Sequence, residues 1–212
     1  SLKFQIIPET TRPFFKNNKE RLAGIFALAQ FNTYTDDEYN SHLETLEESR
    51  VGNYTVVKYL RNRYDSDRKF ALGVLAPDFT QNDINGRPVT LSSLRGKYVF
   101  LEFWASWCGP CRQENPSLVK VYDKYKNKNF NILSVSLDEN AKAWKDAVKA
   151  DGLPWMHVSD LKGWDNDVAK LYLVTSLPKS LLIDPDGKIV ATNLRGEDLA
   201  GKLAELFGGM ER

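Results

Sequence analysis

The chain has 212 residues, 42% hydrophobic and 27% charged, a composition that suits a globular fold with room for one large domain or an ordinary domain plus a smaller one. Its 29 basic and 28 acidic residues leave a net charge of +1, which argues against a nucleic-acid or anionic-membrane partner, since either needs a basic patch. No apolar run approaches the roughly 20 residues that span a bilayer, and the longest candidate, Leu22 to Ala29, is far too short. No secretory signal is visible. Residue 1 is Ser rather than Met, so the sequence reads as trimmed, and missing targeting information is no argument for the cytosol.

Taken in chain order, residues 1–72 read as a helical segment after an irregular start containing Pro8 and Pro13. Leu22, Ile25, Phe26 and Ala29 share one helical face. Thr35 and Glu38 resemble a capping box opening a second helix with Tyr39, Leu43 and Leu46 inward. A third stretch carries Val57, Leu60 and Tyr64. From residue 73 to 212 the pattern becomes α/β. Asn82-Asp83-Ile84-Asn85-Gly86 carries hairpin chemistry, and Tyr98–Trp104 is a nearly continuous apolar run that suits a buried strand. A helix is expected from the Cys-x-x-Cys onward, with Leu118, Val119, Tyr122 and Tyr125 on it. Then come a strand (Phe130–Leu137), helices (Ala141–Ala150, Asn166–Leu173) and two strands (Ser180–Ile183, Lys188–Ala191). The last two are joined by Asp184-Pro185-Asp186-Gly187, a turn sequence. Glu197–Phe207 closes the chain as a helix ending at Gly208-Gly209.

The chain's two cysteines, Cys108 and Cys111, lie in Cys108-Gly109-Pro110-Cys111. A disulfide across so short a loop constrains the unfolded chain little, so a purely structural staple explains the pair poorly. The position between strand and helix explains it better. The first helical turn has unpaired N–H groups and a partial positive charge, which stabilises a thiolate at Cys108. Pro110 has no N–H to lose there. Cys111, one turn deeper, is expected to be less exposed and to attack only a disulfide already formed on Cys108. Half of a zinc site is the competing reading, but His42 and His157 show no ligand spacing and no second cysteine pair exists, so no metal is expected. His157 reads as a strand or loop residue.

Phe103-Trp104-Ala105-Ser106-Trp107-Cys108-Gly109-Pro110-Cys111 resembles the active-site signature of thioredoxins. Ala76-Pro77-Asp78-Phe79, Gly86-Arg87-Pro88-Val89, Leu91 to Lys97 and Cys111-Arg112-Gln113-Glu114-Asn115-Pro116 narrow the resemblance to the TlpA/ResA-like branch, over about residues 73 to 207. The preceding helical segment is similar to extensions in envelope thioredoxins of Bacteroidetes-type bacteria. The resemblance implies a thioredoxin fold, a central mixed sheet flanked by helices, and thiol–disulfide oxidoreductase activity without a cofactor. It implies Cys108 as nucleophile and Cys111 as resolving thiol. Glu102, the one charged residue in Tyr98–Trp104, would be a buried acid with a raised pKa that shuttles the proton of Cys111; its plainer reading is a solvent-facing or lysine-paired carboxylate. Glu114 would tune the thiols; its plainer reading is a carboxylate that stabilises the helix dipole. Leu177-Pro178 matches the cis-proline position, whose backbone pairs with an extended client segment. Trp107, Gly109 and Pro110 would contact the client, while Trp104 divides evenly between core and site. Ser176 and Lys179 depart from the usual residues around the cis-proline, and Lys179 would either favour acidic clients or point to solvent.

The implied setting is the bacterial periplasm or cell envelope. The partners are protein dithiol or disulfide clients, such as apocytochromes c during cytochrome c maturation, and an envelope thiol electron donor. The Gly-Pro dipeptide resembles that of reducing thioredoxins. A disulfide-forming oxidant on the same fold is the alternative. A copper-carrier module is opposed by the cysteine spacing, a thiol peroxidase by the missing Thr-x-x-Cys, and a pure adaptor by the complete set of Glu102, Cys108, Cys111 and Pro178.

Overall fold

A computed structural model describes residues 36–208, and the expectations for Pro8, Pro13, the Leu22–Ala29 helix, Thr35 and Gly209 lie outside them. The chain divides between Lys69 and Phe70 into two compact units. In the first, α1 (Asp36–Glu47) and α2 (Thr55–Lys69) bury Leu43, Leu46, Val57, Leu60 and Tyr64, with Val51 from the link between them. Tyr39 stacks on Tyr64 at 5.3 Å. Arg61 in the middle of α2 makes a two-pronged ion pair with Glu47, the last residue of α1, at 2.9 and 2.8 Å. Gly52 is required in the link, because a Cβ there would lie 2.0 Å from the carbonyl oxygen of Glu47.

The second unit begins with a small antiparallel pair, β1 (Thr80–Asn82) and β2 (Pro88–Thr90). Asp83 organises the turn between them by accepting the N–H groups of Asn85 and Arg87, and Gly86 supplies a φ of 80°. The main sheet contains β3 (Tyr98–Trp104), β4 (Phe130–Ser136), β5 (Met156–Val158), β6 (Lys179–Ile183) and β7 (Ile189–Thr192) in the order β5-β4-β3-β6-β7. The β3–β4 and β4–β5 pairings are parallel; β3–β6 and β6–β7 are antiparallel. The helices are α3 (Gly109–Tyr125), α4 (Ala141–Ala150), α5 (Asp167–Leu171) and α6 (Gly196–Gly208). This is the mixed α/β thioredoxin architecture, with α3 packed on β4 and α6.

Burial explains the strand pattern. From Val99 to Trp104 every residue of β3 is buried, because helices cover both faces of a central strand. Its apolar residues join those of β4, Leu118, Val121 and Tyr125 of α3, Trp144 and Ala147 of α4, and Leu199, Leu203 and Phe207 of α6 in one core. Parallel β3, β4 and β5 end at the same side of the sheet. Antiparallel β6 begins there, with Phe103 opposite Lys179. The segments 105–108, 137–140, 159–166 and 174–178 therefore share one end of the sheet, where open α/β folds place their sites.

One helix is shorter than the sequence pattern predicts. The helix expected over Asn166–Leu173 is only Asp167–Leu171: Asn166 is its N-cap, accepting the N–H groups of Val168 and Ala169, and Leu173 takes a φ of 51° that stops it. The strand Met156–Val158 carries His157, as one of its two readings had it.

Candidate active site

Cys108 and Cys111 form a disulfide with Cα atoms 5.3 Å apart. Cys108 is the N-cap of α3, and its Sγ accepts from the Cys111 N–H at 3.3 Å. Gly109 and Pro110 occupy the first turn and are exposed, with open space where a Gly109 Cβ would stand. The two cysteines are both buried, at 5% and 3%, so in the oxidised state their exposure differs little. Trp107 is 54% exposed, whereas Trp104 is wholly buried and belongs to the core.

The loop before Cys108 is held from two sides. The buried carboxylate of Asp138, just after β4, accepts the N–H and hydroxyl of Ser106 at 3.0 and 2.5 Å, and the Ser136 hydroxyl at 2.7 Å. Arg112 donates to the Ser106 carbonyl at 3.0 Å and pairs with Asp151, which also accepts from Asn115. The contacts of Asp138 with Ser106 and of Asp151 with Arg112 and Asn115 span 32 to 39 residues, so the sequence pattern could not reveal them.

Glu102 is buried in β3, between Ser134 of β4 and Ser180 of β6 in register. Its carboxylate accepts the Ser134 hydroxyl at 2.5 Å, and that oxygen accepts Trp155 Nε1 at 2.7 Å. The solvent-facing and lysine-paired readings therefore do not hold. Burial pushes its carboxyl up to about 7, against the Ser134 hydroxyl; the Glu114 charge raises it further and Arg195 lowers it. His157 lies opposite Ser134 on β5 between the rings of Trp104 (5.6 Å) and Trp155 (5.9 Å), and burial pushes its imidazole down to about 3.

Glu114 reaches away from its own helix terminus. It accepts from Arg195 Nη1 and from the Gly196 N–H, each at 3.1 Å, so its charge lies at the start of α6. The other arm of Arg195 donates to the Pro178 carbonyl at 2.9 Å. The Leu177–Pro178 peptide bond is cis, and both residues are half-buried. Arg195 thus ties α3, α6 and the cis-proline segment together. Sequence reasoning missed it; its only local signal is a basic residue directly before the last helix. Lys179 does not simply point to solvent: its Nζ donates to the carbonyls of Tyr172 and Leu173 at 2.7 and 3.3 Å and lies 5.0 Å over the Phe70 ring.

The profile of the AhpC/TSA family matches residues 72–192. The chain belongs to this family. Within it, the chain is 37% identical over 142 residues to the thiol-disulfide oxidoreductase ResA of Bacillus cereus, covering 67% of this chain and 80% of that one. A solved thioredoxin domain of a thiol-disulfide oxidoreductase from Bacteroides vulgatus superposes with a TM-score of 0.60 at 40% identity, over 64% of this chain and 97% of that one. A thiol-disulfide oxidoreductase from Bacteroides fragilis gives 0.59 at 41% identity, over 62% and 98%. With the disulfide at the head of α3, these relatives identify a thiol–disulfide oxidoreductase of the thioredoxin fold, similar to the ResA and Bacteroides proteins.

Proposed function

We propose that this oxidoreductase works as a reductant of protein disulfides in the bacterial cell envelope, recharged by a thiol donor there. The observation that carries the reading is the Cys108–Cys111 disulfide at the N-terminus of α3, with Cys108 at the cap. In the reduced protein the Cys108 thiolate, stabilised by the helix terminus, attacks one sulfur of the client disulfide. A Cys108–client bond forms, the client S–S bond breaks, and the departing client thiolate takes a proton. Cys111 then gives its proton to the Glu102 carboxylate and attacks Cys108 Sγ. The Cys108–Cys111 disulfide forms, the Cys108–client bond breaks, the second client thiolate leaves and takes a proton, and two electrons have passed to the client.

Glu102 suits that relay, since its raised pKa lets it change protonation near neutral pH. Glu114, with Arg195, sets the charge around Glu102 and through it the thiols. Trp107, Gly109, Pro110 and the Leu177–Pro178 backbone form the client surface. The envelope setting and a client such as an apocytochrome c are supported by the TlpA/ResA-like motifs, and the reducing direction by the Gly-Pro dipeptide. The test is insulin reduction with dithiothreitol as donor. Cys108→Ser should abolish it, Cys111→Ser should stall at a mixed disulfide visible by mass, and retained turnover in Cys108→Ser would remove Cys108 from its role.

A further inference from the structure

Trp164 has no place in the reading above, yet it stands beside the reactive pair. Its ring lies 6.0 Å from that of Trp107 at an angle of 49°, and the two are 48% and 54% exposed. Burial of either indole would help folding, so two left open in contact call for another cause. Neither is loosely held. Trp107 lies between Ser106, anchored on Asp138 and Arg112, and Cys108, whose N–H bonds the Ala105 carbonyl. Trp164 lies in a 3-10 turn, Gly163–Asp165. Gly163 there is buried with a φ of 59°, where a Cβ would come 2.4 Å from Glu139 Oε1. Fully buried Asn166 closes the turn: it caps α5 and donates to Asp160, which also accepts the Asp167 N–H.

Rigid mounting with an exposed aromatic face is what a binding hot spot requires, because little ordering entropy remains to be lost. Lys162 pairs with Asp167 and Lys170 with Asp165, and the Glu139 carboxylate beside Gly163 opposes anionic side chains, so the two open rings select for apolar chemistry. The two rings expose together roughly 200 Å², far below the roughly 800 Å² per partner of a stable dimer. That area suits one side chain of a transient partner. Trp107 adjoins Cys108, so a residue beside the client's own cysteine falls within its reach.

We propose that Trp164 and Trp107 form an aromatic cradle for an apolar side chain flanking the client's disulfide, making Trp164 a specificity-determining residue. The proposal rests on Cys108 exchanging with protein disulfides. The test uses the full chain, reduced beforehand, and two cyclic disulfide peptides that differ only in Phe or Ser beside one cysteine. The protein should favour the Phe peptide about tenfold in kcat/KM, Trp164→Ala should bring the ratio to within about twofold, and Trp164→Phe should restore most of it. The ratio cancels any general loss of fold or reactivity. Exchange at equal rates on both peptides, or a preference that survives Trp164→Ala, overturns the cradle alone. Sedimentation showing a dimer that Trp164→Ala dissociates assigns the pair to self-association and overturns it too. No reduction of either peptide withdraws the functional reading and the cradle together.

Discussion

Glu102 and His157 flank Ser134 on adjacent strands, and their buried side chains make opposite demands on pH. Glu102 binds its proton more tightly in the folded chain, moving from 4.5 to about 7, so its contribution is fully present below pH 4.5 and is lost as pH rises through 7. His157 binds its proton less tightly, moving from 6.5 to about 3, so its contribution is present above pH 6.5 and is lost as pH falls toward 3. Between about pH 4.5 and 6.5 the two slopes nearly cancel. Glu102→Gln should be more stable than the parent at pH 8 by on the order of 3 kcal/mol and near equal to it at pH 4.5. Denaturant midpoints at the two pH values check this, and equal gains at both would rule out a buried, titrating carboxyl. The same variant should slow release of the mixed disulfide, measured in single turnover.

The residue scale was the least legible in sequence. Glu102 stood out because a lone charge interrupts an apolar strand. Asp138 and Arg195 did not, because Ser106 and Glu114, the partners that join them to the helix bearing the cysteines and its loop, lie 32 and 81 residues away. Removing the buried Asp138 carboxylate leaves Ser106 and Ser136 without their acceptor. Asp138→Ala is therefore expected to cost about 1–3 kcal/mol and to lower the exchange rate through the Trp107–Cys108 loop. Thermal unfolding and insulin turnover measure the two effects.

At the scale of elements, the long central strands and the hairpin out to the edge strand β7 were readable, and the short edge strand β5 was not. Tyr98–Trp104 is a near-continuous apolar run because it is covered on both sides, and Ala141–Ala150 is bounded by an Asn140 cap. Met156–Val158 is three residues long, too short to show a period. The end of α5 depends on a left-handed Leu173 that no apolar pattern marks. The contacts between elements carry a prediction of their own. Arg195 joins α3 through Glu114 to the cis-proline segment through Pro178. Arg195→Met should raise KM for a disulfide peptide several-fold and shift its pH profile upward, since the Glu114 charge then acts on Glu102 unopposed. Adding Glu114→Gln should reverse the pH shift but leave the KM defect. A double variant whose profile stays shifted as far as that of Arg195→Met would deny the electrostatic link.

At the scale of the molecule, the two units have separate cores. Leu43, Leu46, Val57 and Leu60 belong to one; the sheet and its helices belong to the other. Leu46→Ala should therefore cost about 2–5 kcal/mol in the first core and leave the potential of the cysteine pair where it was. The turn from helical periodicity to strands and turns made the α/β character legible, and the Cys-x-x-Cys after an apolar strand made the chemistry legible.

The direction of electron flow is the central claim, and the potential of the Cys108/Cys111 couple tests it most directly. Equilibration in thiol–disulfide buffers, with the reduced fraction read by alkylation and mass, is predicted to give a value near or below about −250 mV, that of a reductant. A value near about −120 mV would contradict the account and make the same residues the active site of an oxidant.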